Sequence, residues 1–203
     1  MKTARSIALA VTGAALVLAP VAAHAASTRH VDARGDLQYL IIDSDGNPVD
    51  EPAQTSTSTN GDIVAAKITY TSASIGITSR FAGLGKAGHH QQHLFEVHGG
   101  KYVRTVLVET GAGYWGGKVF VFDGAGKEVP AKFCAPKHKV DYTADTVTVN
   151  IPSSCVKSPA SIRAGVGTIV VSADQRKLYY DDAYTTKGSF DAPFTLSPVV
   201  KKG

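Results

Sequence analysis

The sequence has few cysteines, no strong excess of charge and only one long hydrophobic run. Of its 203 residues, two are cysteine, one is tryptophan and one is methionine. The formal net charge of +4 is small for this length, which excludes a strongly cationic nucleic-acid-binding protein. The hydrophobic run lies near the N-terminus, and no later stretch is long and apolar enough to predict insertion into a membrane.

The first 25 residues have the pattern of a secretory signal peptide. Lys2 and Arg5 precede the apolar run Ile7–Ala19, and Ala23-His24-Ala25 fits an A-x-A cleavage site. The run is shorter than a bilayer span requires. We therefore predict a signal peptide over 1–25 and a secreted, extracellular product.

The rest of the chain is dominated by alternation of apolar and polar residues with a period of two. Segments rich in Val, Ile, Thr and aromatic residues are separated by turn signals such as Asn60-Gly61 and Gly99-Gly100. Helical periodicity is missing after the leader. We predict one all-β domain over 26–203, an antiparallel sandwich of jelly-roll or Ig-like type with about 8–10 strands. The segments predicted as strands are 37–43, 64–70, 75–81, 102–109, 118–123, 145–151, 162–172 and 178–180.

The only two cysteines, Cys134 and Cys155, are predicted to form a disulfide, because thiols oxidise outside the cytoplasm. Closing a loop of this length stabilises a fold by roughly 3 kcal/mol in the chain-entropy model. A catalytic thiol is the alternative, and it would need a nearby base that the sequence does not identify.

Three stretches of the sequence carry a resemblance to known proteins. They are Asp32-Ala-Arg-Gly-Asp36, residues 61–84 from Gly61-Asp62-Ile63 to Phe81-Ala-Gly-Leu84, and residues 141–155, with Asp181-Asp182-Ala183 near the end. In these the chain resembles small secreted actinobacterial proteins of uncharacterised function, a resemblance that implies a β-sandwich and no established activity. Its layout is more distantly similar to jelly-roll carbohydrate-binding modules.

Two pairs of acids form the first candidate site. Asp32 and Asp36 precede the first predicted strand, and Asp181 and Asp182 follow the last one. Because terminal strands of sandwiches often run side by side, we expect the four carboxylates to converge. Crowded carboxylates repel each other, and a hard cation such as Ca²⁺ relieves the repulsion. Calcium is therefore a candidate cofactor at this site, and solvated or arginine-paired acids are the alternative.

A run of histidines offers a second, weaker metal site. His89, His90, His93 and His98 lie close together in sequence with Glu96, and imidazole suits Zn²⁺ or Cu²⁺. Strand geometry would place His93 on the face opposite Glu96 and His98. The alternative is an exposed polar loop that gains charge below about pH 6.5.

Tyr114 and Trp115 lie in a glycine-rich turn and are a candidate platform for a sugar ring or a partner surface, unless the tryptophan packs back on the sandwich. No nucleophile elbow or catalytic triad is identifiable. The sequence therefore predicts a non-catalytic binding module for an extracellular carbohydrate, a cell-envelope component or a protein surface. The alternative function is a small secreted hydrolase or metal-binding protein that uses the histidine run. No nucleic-acid partner is predicted, and the oligomeric state stays open.

Overall fold

The computed structural model describes residues 25–49, 53–186 and 193–203, and these residues form an antiparallel β-sandwich. The fold class predicted from the alternating pattern is confirmed. A 3₁₀ turn covers Ser153–Val156, and none of the described residues lies in an α-helix. The strands are β1 (Ala26–Val31), β2 (Gln38–Ile41), β3 (Gln54–Thr55), β4 (Ile63–Tyr70), β5 (Ser74–Phe81), β6 (His90–Gly99), β7 (Tyr102–Gly111), β8 (Lys118–Asp123), β9 (Lys137–Asp141), β10 (Thr146–Pro152), β11 (Ser161–Val171), β12 (Lys177–Asp182) and β13 (Val200–Lys201).

Two sheets are stacked, and the chain passes repeatedly between them. The first sheet has the strand order β1-β4-β5-β10-β9, and the second has the order β3-β2-β12-β11-β6-β7-β8, with β13 also paired to β11. The chain changes sheet after β1, β3, β5, β8 and β10. These crossovers bring polar residues to the boundary between the two sheets.

The core lies between the sheets and is built from the inward side chains of each strand. Alternation along a strand sends every second residue inward, which is why the apolar period of two in the sequence becomes one continuous core. Fully buried side chains from the first sheet include Ile68, Tyr70 and Ile77, and they share the core with Phe95 and Val166 from the second sheet. Burying each large apolar side chain contributes about 1.5–3 kcal/mol.

Three substantial strands were not among the segments predicted, namely β1, β6 and β9. The expectation of an exposed polar loop around the histidine run was wrong. Strand β6 is ten residues long and pairs along its length with both β11 and β7. Its inward residues include Gln91 and His93, so polar side chains occupy core positions and hide the strand pattern.

The predicted disulfide is present. Cys134 and Cys155 are joined with their Cα atoms 5.1 Å apart, and both residues belong to the buried core cluster. The bond connects the crossover between β8 and β9 to the 3₁₀ turn after β10. Nowhere in the described ranges is there a helix of the length and apolarity that a membrane span needs. The predicted signal peptide lies outside the described residues except for Ala25.

Candidate functional site

The crossover from β1 to β2 carries Asp32 and Asp36 across the boundary between the two sheets. Backbone hydrogen bonds hold it at both ends. The Asp32 N–H donates to the Val64 carbonyl oxygen (3.1 Å), and the Ser56 N–H donates to the Leu37 carbonyl oxygen (2.7 Å). The two aspartates are therefore positioned by neighbouring strands of both sheets.

Asp181 reaches the same place from the second sheet. It lies on β12 opposite Thr168 of β11, and its side chain is buried. Its Oδ2 accepts a hydrogen bond of 2.7 Å from the backbone N–H of Ile63, the first residue of β4. This carboxylate thus links the two sheets directly.

One oxygen each from Asp32, Asp36 and Asp181 lie within 4.8 Å of one another. Asp32 is only 8% exposed. Its Oδ1 accepts a hydrogen bond from the Ala33 N–H. Its Oδ2 is shielded from solvent and has no hydrogen-bond partner. Both oxygens of Asp36 are likewise shielded from solvent and have no hydrogen-bond partner. None of the three acids forms a salt bridge with a basic residue in the described part of the chain.

A fourth buried acid, Asp62, completes this group, and the sequence analysis missed it. Asp62 is 1% exposed, and its two oxygens accept from the Gly35 N–H at 3.0 and 3.2 Å. Gly61 precedes it at a φ of +97°, with Val170 so close that a Cβ would clash, so only glycine allows this turn. We call Asp32, Asp36, Asp62 and Asp181 the acidic junction.

Asp182, which the sequence analysis grouped with the others, is engaged elsewhere. Its oxygens accept from the backbone N–H groups of Tyr184 (3.1 Å) and Thr195 (2.7 Å). The alternation of β12 sends neighbouring side chains to opposite faces, so Asp181 and Asp182 do not point the same way. Asp182 still adds to the repulsion felt by Asp32.

The acidic junction has an unusual affinity for protons. Burial, together with a smaller contribution from the neighbouring carboxylates, raises the pKa of Asp32 to about 7 and that of Asp181 to about 8. Burial also raises the pKa values of Asp36 and Asp62. An arrangement of this kind accepts either protons or a cation.

The histidine run does not form one site. His93 is fully buried, lies edge-on to Phe81 with ring centroids 5.3 Å apart, and has only a 3.4 Å contact from Nδ1 to the Thr168 hydroxyl. Burial lowers the pKa of His93 to about 3, so it is neutral in the folded protein. On the opposite face of β6, Glu96 and His98 hydrogen-bond to each other.

The first two histidines of the run lie at the start of β6. Their rings, His89 and His90, are 5.3 Å apart and perpendicular in arrangement. His90 lines an open groove of about 830 Å³ whose other walls include Asp43 and Arg176. His89, His90, His93 and His98 therefore occupy three separate environments, and the common metal site considered in the sequence analysis does not form.

The aromatic turn of Tyr114 and Trp115 is half-buried. The Tyr114 hydroxyl donates to Glu109 (2.8 Å), and the Lys118 ammonium lies 4.3 Å from the centroid of its ring. Trp115 packs edge-on against Tyr142, whose hydroxyl donates to the Trp115 carbonyl oxygen (3.0 Å). Both rings thus have contacts within the protein, and their use as a binding platform stays a prediction.

A basic surface that the sequence analysis did not identify covers the outer side of the first sheet. Its cationic side chains are exposed and share one face by strand alternation. We call this set the basic face; its members are Arg29, Lys67, Arg80, Lys137 and Lys139. Recognising β1 and β9 in the sequence would have revealed it, because the two strands form the edges of this sheet.

Comparisons with protein-family models, with curated protein sequences and with solved structures found no match to this chain. The resemblance to secreted actinobacterial proteins therefore stays a prediction.

Proposed function

We propose that this protein is a secreted, non-catalytic binding module for an anionic extracellular glycan, and that the basic face is its binding surface. The observation that carries the proposal is the concentration of five exposed cations on one hydroxyl-rich side of the first sheet. A polymer with repeated carboxylate groups is complementary to such a surface in charge.

The strand register arranges these cations in rows across the sheet. Arg29 lies directly opposite Lys67, and the same row continues through Thr78 and Thr148 to Lys139. Because neighbouring strands are about 4.8 Å apart, the row extends about 19 Å from β1 to β9. Threonine hydroxyls between the cations can exchange hydrogen bonds with sugar hydroxyls.

The positive charge of this surface is largely uncompensated. Asp141 is the one acid on the strands of this face, and it accepts a 2.8 Å salt bridge from Lys139. Like charges directly opposite each other, such as Arg29 and Lys67, destabilise a sheet slightly. A bound polyanion would remove that repulsion, which is the physical reason for placing the ligand here.

The geometry favours a binding role over the hydrolase alternative. No serine or cysteine in the described ranges hydrogen-bonds to a histidine, and His93 is enclosed in the core away from any substrate. Glu96 and His98 lie on the outer side of β6, and in the described ranges the side-chain hydrogen bond of each is to the other and not to a third group. These arrangements do not provide a nucleophile with a base.

Calorimetric titration with alginate, a carboxylate-bearing polysaccharide, tests the proposal, with neutral dextran as the control ligand. We expect binding to alginate that weakens as salt is added and no binding to dextran. The double variant Arg29→Gln/Lys67→Gln should lose at least tenfold in affinity. A matched variant, Lys101→Gln/Lys127→Gln, removes two exposed charges outside the basic face and should bind as the wild type does.

Two results would overturn this proposal. One is equal loss of affinity in both double variants, which would show a response to net charge alone. The other is undiminished binding in Arg29→Gln/Lys67→Gln, which would place the glycan on another surface.

A further inference from the structure

We propose that Asp32, Asp36 and Asp181 bind one Ca²⁺ ion at the acidic junction. The inference is independent of glycan binding, since the acidic junction lies between the sheets and the basic face lies on the outer side of one of them. It rests on the geometry of three carboxylates and on oxygen atoms that the protein leaves without partners.

The first observation is the spacing of the oxygen atoms. Three segments distant in sequence each bring one carboxylate oxygen to within 4.8 Å of the other two. Calcium binds oxygen at about 2.3–2.6 Å, so two of its ligands can be separated by up to about 5 Å. The oxygens therefore already lie at separations that a single Ca²⁺ can span.

The second observation is that three oxygens of Asp32 and Asp36 are shielded from solvent and have no hydrogen-bond donor. Asp32 is more than nine-tenths buried, and its Oδ2 has no partner; neither oxygen of Asp36 has one. Asp181, Asp62 and Asp182 differ, because backbone N–H groups donate to both oxygens of each. Shielded anionic oxygens without donors are costly, and a cation held beside Asp181 is the partner that would satisfy the oxygens of Asp32 and Asp36 together.

The chemistry of the donors selects the type of ion. The set contains only carboxylate oxygens, without imidazole or thiolate, which favours a hard cation over Zn²⁺ or Cu²⁺. Magnesium binds oxygen at about 2.0–2.1 Å and would require its ligands to lie within about 4.2 Å of each other. Calcium accepts separations over the whole range up to 4.8 Å, and its flexible coordination geometry suits a site built from a crossover and a strand.

Binding at this position would connect separate parts of the fold. Asp32 and Asp36 belong to the crossover after β1, whereas Asp181 belongs to β12 and holds the first residue of β4. An ion that binds the folded chain and not the unfolded one stabilises the folded state by mass action. It would also displace protons from these carboxyls, as metal binding does at protonated ligands.

Scanning calorimetry of the exported protein with CaCl₂ or with EGTA, and without glycan, tests the proposal. We expect calcium to raise the melting temperature by several degrees and titration calorimetry to give one ion per chain. Asp36→Asn should melt at or above the wild-type temperature in EGTA, because it removes repulsion, and should lose the calcium shift. Asp32→Asn should lose the shift as well, whereas the exposed control Asp45→Asn should keep it.

Asp36→Asn makes the test specific, because it should keep or raise the melting temperature in EGTA and yet abolish the increase that calcium causes. If the acids bind no ion, Asp36→Asn should still be stabilised in EGTA, but calcium should not change the melting temperature of the wild type. Identical wild-type melting curves in calcium and in EGTA would therefore overturn the proposal. A calcium shift that persists in both Asp32→Asn and Asp36→Asn would place the ion elsewhere. A larger shift with MgCl₂ than with CaCl₂ would overturn the choice of ion.

Discussion

The two sides of the first sheet are joined to the rest of the sandwich by different chemistry. On the β10–β9 side, the Cys134–Cys155 bond connects the crossover before β9 to the turn after β10. On the β1–β4 side, two other crossovers meet at the acidic junction, where Asp62 holds Gly35 and Asp181 holds Ile63. One connection is covalent, and the other depends on buried carboxylates.

This difference determines how each side responds to its surroundings. A disulfide that is closed in an oxidising medium is unaffected by pH or by cations near neutrality. Carboxylates withdrawn from water are stable when protonated or bound to a cation and costly when bare. We therefore expect the stability contributed by the β10–β9 side to be independent of pH and calcium, and that contributed by the β1–β4 side to depend on both.

The largest effect should come from removing the covalent connection. The double variant Cys134→Ala/Cys155→Ala should lose roughly 3 kcal/mol of unfolding free energy, as the chain-entropy model gives for a loop of this size. Urea unfolding measures the loss, which should be the same at pH 6.5 and pH 8 and in calcium or EGTA. A loss that changed with pH or calcium would show that the two sides are coupled. Thiol titration of the unfolded, unreduced wild type should find no free thiol.

The second effect is a pH dependence of the β1–β4 side. Asp32 and Asp181 have pKa values of about 7 and about 8 in the folded protein, above the ordinary value, so the folded state holds more protons than the unfolded state. Stability in EGTA should therefore fall as the pH rises from 6.5 to 8, by on the order of 2 kcal/mol. Urea unfolding at several pH values measures it, and saturating calcium should flatten the curve. A flat curve in EGTA would contradict the burial of these charges.

The range above pH 6.5 is chosen because His93 has the opposite effect below it. With a folded-state pKa of about 3, His93 stays neutral while the unfolded chain takes up a proton, so its own contribution to stability falls as the pH drops below about 6.5 and offsets part of the gain from Asp32 and Asp181. The matched variant His93→Leu should therefore steepen the rise in stability as the pH drops below 6.5 and leave the loss between pH 6.5 and 8 intact. Thr168 keeps the Gln92 carbonyl as an acceptor in that variant, so no hydroxyl is left unpaired.

Part of the acidic junction was predictable from the sequence, for a reason the structure makes clear. The first predicted strand and the last one do pair, since Leu40 lies opposite Leu178 in β2 and β12. That pairing brings the residues beside each strand together, which places Asp36 near Asp181. The fold class followed in the same way from the period of two in Val- and Ile-rich segments.

The remaining features depended on strands whose sequences hide them. Strand β1 is an edge strand with a single large aliphatic residue, Val31, which is 70% exposed, so it has little apolar pattern. Without β1, nothing indicated that Asp62 would face the crossover after that strand. Strand β6 was hidden because Gln91 and His93 occupy core positions; Gln91 is held there by hydrogen bonds to the Gly85 and Ala87 carbonyl oxygens.

A third, smaller effect is expected at the aromatic turn, near the β9 edge of the first sheet. Trp115 is half-buried against Tyr142, so Trp115→Ala should cost about 1–2 kcal/mol, below the 3–5 kcal/mol of a fully buried large aromatic. Urea unfolding measures the loss, and Trp115→Phe, which keeps a ring against Tyr142, is the control. A cost near 4 kcal/mol would show that this side relies on Trp115 as a core residue. No detectable cost would leave the ring free to act as the platform predicted from the sequence.

The smallest effect on stability is expected at the basic face, where charge stays in water. Arg29→Gln/Lys67→Gln should change the unfolding free energy by less than about 0.5 kcal/mol, with a slight gain because two like charges opposite each other are removed. The measurement compares how strongly the basic face and the acidic junction affect the unfolding free energy. Three buried acids and the half-buried Asp36 should make stability depend on pH and on calcium, whereas five exposed cations should leave it almost unchanged at low salt. A loss of several kcal/mol of unfolding free energy in Arg29→Gln/Lys67→Gln would contradict this expectation. Exposure would then not explain why the two regions affect stability differently, and the basic face would have a structural role in place of the proposed binding role.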